Sequence, residues 1–258
     1  MVEDPLIIAG ERIESRLWVG TSRYPSPQIM LQALEAAQAG LVTVSVRRLN
    51  LKAPQETFLE LLIGRFRLLP NTAGCFTAEE ALFLAELSRE ALQTNWIKLE
   101  VIGDERTLWP DPVELLSAAR ELVRRGFVVL AYAPDDPVVC QRLAEAGCAA
   151  VMPLAAPIGS GQGIRDIERL SLIRHKLPDI PLVIDAGIGS PADAAMAMEI
   201  GYDAVLVNTA IAEAQHPVLM AEAMRLAVEA GRKAYRAGRI PRVSYARPSS
   251  PLEGLPWS

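Results

Sequence analysis

A closed ring of eight parallel strands wrapped in helices is the fold this sequence predicts, and three observations predict it. Short, nearly unbroken apolar runs recur through the chain, as buried parallel strands require. An amphipathic stretch follows each run, with strong start signals before many of them. The strand-then-helix unit occurs eight times, at spacings of roughly 22–32 residues, as a (β/α)8 TIM barrel of about 250 residues needs. An open doubly wound sheet is the rival, but it seldom carries so many units in one domain.

The units run in order. "RLWVGT" (16–21) precedes "PQIMLQALEAAQAG", and "LVTVSV" (41–46) precedes a helical stretch from about Glu56 to Ile63. "RLLPNTA" (67–73) leads into "TAEEALFLAELSREALQ", where Thr77 and Glu80 have the spacing of a capping box. "WIKLEVIG" (96–103) precedes "DPVELLSAARELVRRG", with Asp111 as N-cap and Pro112 at the first helical position. "FVVLAYA" (127–133) precedes "DDPVVCQRLAEAG", which repeats that start. "AAVMPLA" (149–155) precedes a glycine-rich loop and "RDIERLSLIRHKL"; "PLVIDAG" (181–187) precedes "SPADAAMAMEIG". "DAVLVNTAI" (203–211) precedes a long helix ending near Gly238.

Outside the ring, "LIIAGERIE" (6–14) has a turn at Ala9-Gly10, which predicts a short hairpin plugging the bottom. The expected layout is a single barrel domain with its hairpin over 1–242, and a flexible proline- and serine-rich tail over 243–258.

Composition bounds the function. The chain has 258 residues, half of them hydrophobic, and a net charge of −5, which argues against nucleic acid as a partner. No apolar run approaches the roughly 18–20 residues of a membrane span. The N-terminus lacks the features of a signal peptide, so a cytoplasmic protein without a membrane role is expected. Three cysteines form no CxxC and two histidines stand alone, so reduced thiols and no protein-bound metal are expected.

In barrels of this type chemistry sits at the carboxyl ends of the strands. In "NWIKLEVIGD" (95–104), alternation puts Lys98 and Glu100 on one face and Ile97, Leu99 and Val101 on the other. The apolar set must meet the helices, so the amine and carboxylate point into the barrel, their Cα atoms about 6.5–7 Å apart. A structural ion pair is one reading. The other is a Schiff-base lysine with Glu100 moving protons on and off the adduct. A nearby carboxylate raises the lysine's proton affinity and burial lowers it, so burial must win or a carboxylate must take the proton.

Asp185 interrupts the seventh strand at its carboxyl end; it either caps loop amides or serves as a further acid/base. "PIGSGQG" (157–163) and "AGIGSP" supply glycine-rich turns, and Asn208-Thr209 follow the last strand. Loops in these places can turn backbone N–H groups toward a phosphate. Ser160, Gly161 and Gly189 are candidates for that cup. A substrate with both a ketone and a phosphate follows from combining the lysine with the cup.

"KLEVIGD", "PIGSG" and "DAGIG", in that order, with "VGTSRYPS", "LPNTAGCFTAEEA" and "AVEAGRKAYRAGRIP", resemble the bacterial thiazole synthase (ThiG) family of thiamine biosynthesis from about Arg16 to Pro241. The resemblance implies a condensation of 1-deoxy-D-xylulose 5-phosphate, 2-iminoacetate (dehydroglycine) and sulfur into thiazole phosphate carboxylate. The sulfur would come from a ubiquitin-like, ThiS-like carrier protein with a C-terminal thiocarboxylate. It implies that Lys98 forms the imine, with no cofactor beyond that covalent adduct, and that Glu100 and Asp185 are the acid/base pair. It assigns sugar-phosphate contacts to Gly159, Ala186, Gly187, Asn208 and Thr209. It also implies a homo-oligomer, a tetramer, and an iminoacetate-producing enzyme as a further partner.

The sequence departs from the family pattern at Ala155, where glycine is usual, and in "AYAPDDP". Cys75, near the top of the third strand, is expected to pack or, less simply, to reach the pocket. The basic run Arg232, Lys233, Arg236 and Arg239 is read as a solvated helix end or a dock for an acidic carrier. The rivals are another Schiff-base barrel of class I aldolase type and a phosphosugar-binding barrel without catalysis.

Overall fold

The computed structural model describes residues 4–45 and 59–248. Its strands are β1 (Leu6–Ile8), β2 (Glu11–Ile13), β3 (Leu17–Gly20), β4 (Val42–Ser45), β5 (Leu68–Asn71), β6 (Trp96–Leu99), β7 (Val128–Ala133), β8 (Ala150–Pro153), β9 (Val183–Asp185) and β10 (Ala204–Val207). Its helices are α1 (Pro27–Ala37), α2 (Ala78–Leu92), α3 (Pro112–Arg124), α4 (Pro137–Glu145), α5 (Ile167–Lys176), α6 (Pro191–Glu199), α7 (Thr209–Ala212) and α8 (Pro217–Ala237).

Strands β3 to β10 form one parallel sheet in the order β8-β7-β6-β5-β4-β3-β10-β9. A parallel bridge between Val151 and Leu182 joins its two ends, which closes the ring into a (β/α)8 barrel. Side-chain parity divides the core in two. Ile97, Leu99 and Val101 pack outward with helix residues such as Leu84, Leu115 and Leu122. Trp96, Leu130, Met152 and Val183 fill the lower interior.

The hairpin plugs that lower interior. Ile8 and Glu11 pair across Ala9 and Gly10, whose φ values of 50° and 80° make the tight turn that right-twisted strands favour. Leu6, Ile8 and Ile13 bury against Trp18, Leu69 and Trp96. Each such side chain contributes roughly 1.5–3 kcal/mol when removed from water, so the plug is held by apolar burial. Asp4 then takes a two-bond contact from Arg232 of α8, at 2.7 and 2.8 Å.

Asp111, Asp136 and Ser190 cap their helices as the start signals predict, each before a proline. Thr77 caps α2, but Glu80 reaches back to the N–H of Phe76 rather than Thr77, so the reciprocal box is displaced by one residue. The expected Glu56–Ile63 helix begins outside the described residues; its described part, from Leu59, forms turns only. Residues 239–248 have neither helix nor strand and are exposed; the rest of the tail lies outside the described residues. Among the described residues no helix is long and apolar enough to cross a membrane.

Candidate active site

Strand β6 ends by delivering an amine and a carboxylate into the barrel mouth. Lys98 and Glu100 are each only 5% exposed. The Lys98 Nζ lies 3.2 Å from Glu100 Oε1 and 2.6 Å from Asp185 Oδ2, so β6 and β9 meet across the lumen. No other donor among the described residues reaches Asp185 Oδ2. Tyr132, inward on β7, sets its ring 5.7 Å from the Lys98 Nζ and donates its hydroxyl to Leu108 O at 3.3 Å. Ile102, Leu108, Tyr132, Leu154 and Ala186 form an apolar wall beside the three charges.

One ammonium faces two carboxylates in a dry place. Burial pulls the Lys98 proton affinity down, but Asp185 and Glu100 outweigh it, so the ammonium is held above the ordinary lysine range. Burial, helped by the Glu100 charge and opposed by Lys98, raises the Asp185 carboxyl to about 6. Lys98 and Asp185 lie close enough that each shifts the other, so neither holds its proton independently. The resting amine is therefore protonated. For such an amine to act as a nucleophile its proton must pass to a carboxylate, and Asp185, with its carboxyl raised and 2.6 Å away, is the nearer of the two.

The opposite side of the mouth is lined by glycine loops. Gly159, Gly161 and Gly163 all have positive φ, from 59° to 72°, which turns the β8–α5 loop back on itself. Gly163 donates to Gly187 O and Ala155 to Ala186 O, so this loop is knitted to the β9–α6 loop. A Cβ on Gly187 would sit 2.3 Å from Ala156 N, and the close approach of the two loops requires glycine there. Among the described residues, the N–H groups of Gly159, Gly161, Gly187, Ile188 and Thr209 have no protein acceptor. Those donors are open to an anion.

Other candidates are already engaged. Gly189 N–H donates to Asp193 Oδ2, and Ser160 N–H to Pro157 O, leaving the Ser160 hydroxyl as its polar group. The Asn208 amide, oriented by its hydrogen-bond partners, donates to Gly20 O and Ser22 O and accepts from the Ser22 hydroxyl. A Cβ on Gly20 would strike Asn208 at 2.6 Å, so glycine is needed for that lock. Thr209 opens the short helix α7, so the last strand ends at Val207 rather than running on through the 203–211 segment.

The site residues expected from the sequence line one cavity of about 950 Å³. It holds Lys98, Glu100 and Asp185 at one side. Gly159, Ser160, Gly161, Ala186, Gly187 and Gly189 line it from the two glycine loops, and Asn208 and Thr209 from the end of β10. Asn71, Tyr132, Leu108 and Thr72 belong to the neighbourhood of the three charges but were not singled out from sequence. An inward polar residue at the end of "LLPN" was the available signal for Asn71. Nothing in an apolar run marked Tyr132.

Cys75 is fully buried among outward-packing residues such as Leu84 and Val101 and does not line the cavity. The basic run is partly engaged within the chain: Arg232 binds Asp4, Arg236 comes within 3.8 Å of it, and Arg239 faces Glu199 at 3.7 Å. Since α8 starts beyond the carboxyl end of β10 and runs back, its end lies at the bottom, away from the cavity.

The whole chain can be set beside known proteins. A profile of the thiazole biosynthesis protein ThiG family matches residues 7–251. The thiazole synthase of Methylobacterium sp. (strain 4-46) is 56% identical, with 98% of this chain and 95% of that protein covered. That of Geobacter metallireducens is 54% identical, covering 98% and 97%. This chain belongs to the ThiG family. It is an enzyme of the thiazole synthase type.

Among solved structures, the Amycolatopsis orientalis BexX/CysO complex contains a chain that superposes with a TM-score of 0.83 at 35% identity, covering 94% of this chain and 100% of that one. A thiamine phosphate pyrophosphorylase from Pyrococcus furiosus, at 16% identity and a TM-score of 0.56 over 85% of this chain and 98% of that one, shares the fold alone. The ThiG departure at Ala155 has no backbone cost, because Ala155 is not among the residues with positive φ.

Proposed function

We propose that this ThiG-family chain joins 1-deoxy-D-xylulose 5-phosphate, 2-iminoacetate and carrier-borne sulfur into thiazole phosphate carboxylate through an imine on Lys98. The observation that carries the reading is one buried amine, clasped by two carboxylates, sharing a cavity with a cluster of open backbone donors. The cavity's 950 Å³ accommodates a phosphosugar together with a second small reactant.

The phosphate sits on the N–H groups of Gly159, Gly161, Gly187 and Thr209, which puts the ketone toward Lys98. Lys98 passes a proton to Asp185, and its amine adds to the ketone. The resulting carbinolamine loses water, with the departing hydroxyl protonated by a carboxyl group, to leave the imine. The imine acidifies the neighbouring carbon. A carboxylate removes that proton and another is returned along the chain, so the carbonyl migrates. Sulfur from a thiocarboxylate then adds to the new ketone, and the imino acid closes the ring as the carrier, now a carboxylate, water and the Lys98 amine leave, which frees the product and restores the lysine. Glu100 and Asp185 between them hold the protons in transit, and the apolar wall of Leu108 and Tyr132 keeps bulk water from the imine.

The partner is a sulfur-carrier protein, here of ThiS type with a C-terminal thiocarboxylate. The chain works as a homotetramer and receives iminoacetate from a separate enzyme. Residues 1–242 form the working barrel and 243–258 an accessory tail. The test is reconstitution: the three reactants with thiocarboxylated carrier should yield a thiazole phosphate carboxylate by mass spectrometry, and none without carrier. A carbon–carbon cleavage product formed without carrier would favour an aldolase-type barrel instead.

A further inference from the structure

We propose that Thr72 is a positioning residue that holds Glu100 at its working place by standing in for a strand neighbour that the fold removes. This rests on the reading of Glu100 as an acid/base group. Strand β5 pairs with β6 only through Asn71 and Lys98, with one further bond from Thr72 N to Lys98 O at 3.1 Å. Beyond that the chain turns away through Gly74, whose φ is 82°. Glu100, immediately past the end of β6, thereby loses the ladder partner that should fix its backbone.

The Thr72 side chain fills both vacant bonds. Its hydroxyl donates to Glu100 O at 2.7 Å and accepts from Glu100 N–H at 2.7 Å. One hydroxyl has the single proton and the lone pairs for this two-way exchange. Thr72 is fully buried and does not line the cavity, so it acts through Glu100 and touches no substrate. Fixing the backbone matters because the Glu100 carboxylate has a single ion pair among the described residues, with Lys98 at 3.2 Å. Its aim depends on the main chain beneath it. Lys98 does not depend on the Thr72 hydroxyl: its strand pairs with β7, its carbonyl takes the main-chain N–H of Thr72, which a side-chain change keeps, and Asp185 holds its amine.

The two groups therefore separate experimentally. In Thr72→Val, a near-isosteric change, borohydride trapping with the phosphosugar should still label Lys98 to the wild-type extent. Turnover should fall about tenfold to hundredfold, the range expected when a reacting group moves by around an ångström. Thr72→Ser, which keeps the hydroxyl, should restore most of the rate. Unchanged turnover in Thr72→Val, no rescue by serine, or a parallel loss of label and turnover would each overturn the proposal. Absence of label in the wild type would overturn the reading of Lys98 beneath it, a different failure from the first three.

Discussion

Both ends of the barrel bury charge, but they balance it differently. At the bottom, Asp4 receives two hydrogen bonds from Arg232 and lies 3.2 Å from Arg16, while Arg174 and the Leu182 N–H share Asp203. Arg232 and Arg16 hold the Asp4 carboxyl below its usual range. At the top, two carboxylates share one ammonium, and burial lifts Asp185 to about 6. Two aspartates of one molecule thus shift in opposite directions. The matched end closes the structure; the mismatched end keeps a proton ready to move.

The largest test of that contrast is Lys98→Ala. It should cut turnover by roughly four orders of magnitude or more, as loss of a nucleophile does. It also leaves two buried carboxylates without a counter-ion, which should cost about 3–5 kcal/mol near pH 8 in denaturant titrations. The deficit should shrink toward pH 5 as Asp185 takes a proton. A deficit independent of pH would mean that the lost packing, not the charge, sets the cost.

Asp185→Asn comes next. Turnover should drop about 10²–10⁴-fold as an acid/base group is lost, and the acid limb near pH 6 should disappear from the rate profile. The sign of the stability change is opposite to that of an ordinary ion-paired aspartate. Because its folded carboxyl is raised, wild-type Asp185 binds its proton better folded than unfolded, so its ionisation weakens the fold as pH rises from about 4 to 6. Relative to wild type, the asparagine variant should therefore gain about 2–3 kcal/mol over that window. No relative gain in urea melts at pH 4 and 7 would place Asp185 with the matched charges.

Asp4→Asn sharpens the comparison from the other end. Asp4 is lowered in the fold, so its contribution is present above the unfolded value of 3.8 and is lost as pH falls through the folded one. With water reaching it, the loss on substitution should be about 0.5–1 kcal/mol near neutrality, with turnover unchanged. Arg239→Ala, at an exposed contact 3.7 Å from Glu199, should alter stability by less than about 0.5 kcal/mol and leave activity alone.

Much of this was legible before any coordinates. Lys98 and Glu100 declared themselves because polar residues two apart in an apolar strand must share the inner face. Asp185 did so by ending a core strand, and the hairpin by its Ala9-Gly10 turn. What stayed hidden depends on distances between elements. No pattern reveals that Asp185 crosses the lumen to within 2.6 Å of Lys98, or that a hydroxyl from "LLPNTAG" replaces a missing ladder bond. The basic end of α8 gave no sign of its own pairing, for a related reason. Its partner, Asp4, lies 228 residues away in the chain.

The central claim is that the clasped amine of Lys98 becomes a nucleophile toward a phosphorylated ketone. Borohydride reduction of the protein with 1-deoxy-D-xylulose 5-phosphate, followed by peptide mass spectrometry, tests it most directly. The account predicts one stable adduct on the Lys98 peptide, absent in Lys98→Ala and suppressed by excess inorganic phosphate. A label on another lysine, or an unmodified chain under conditions that support turnover, would contradict it.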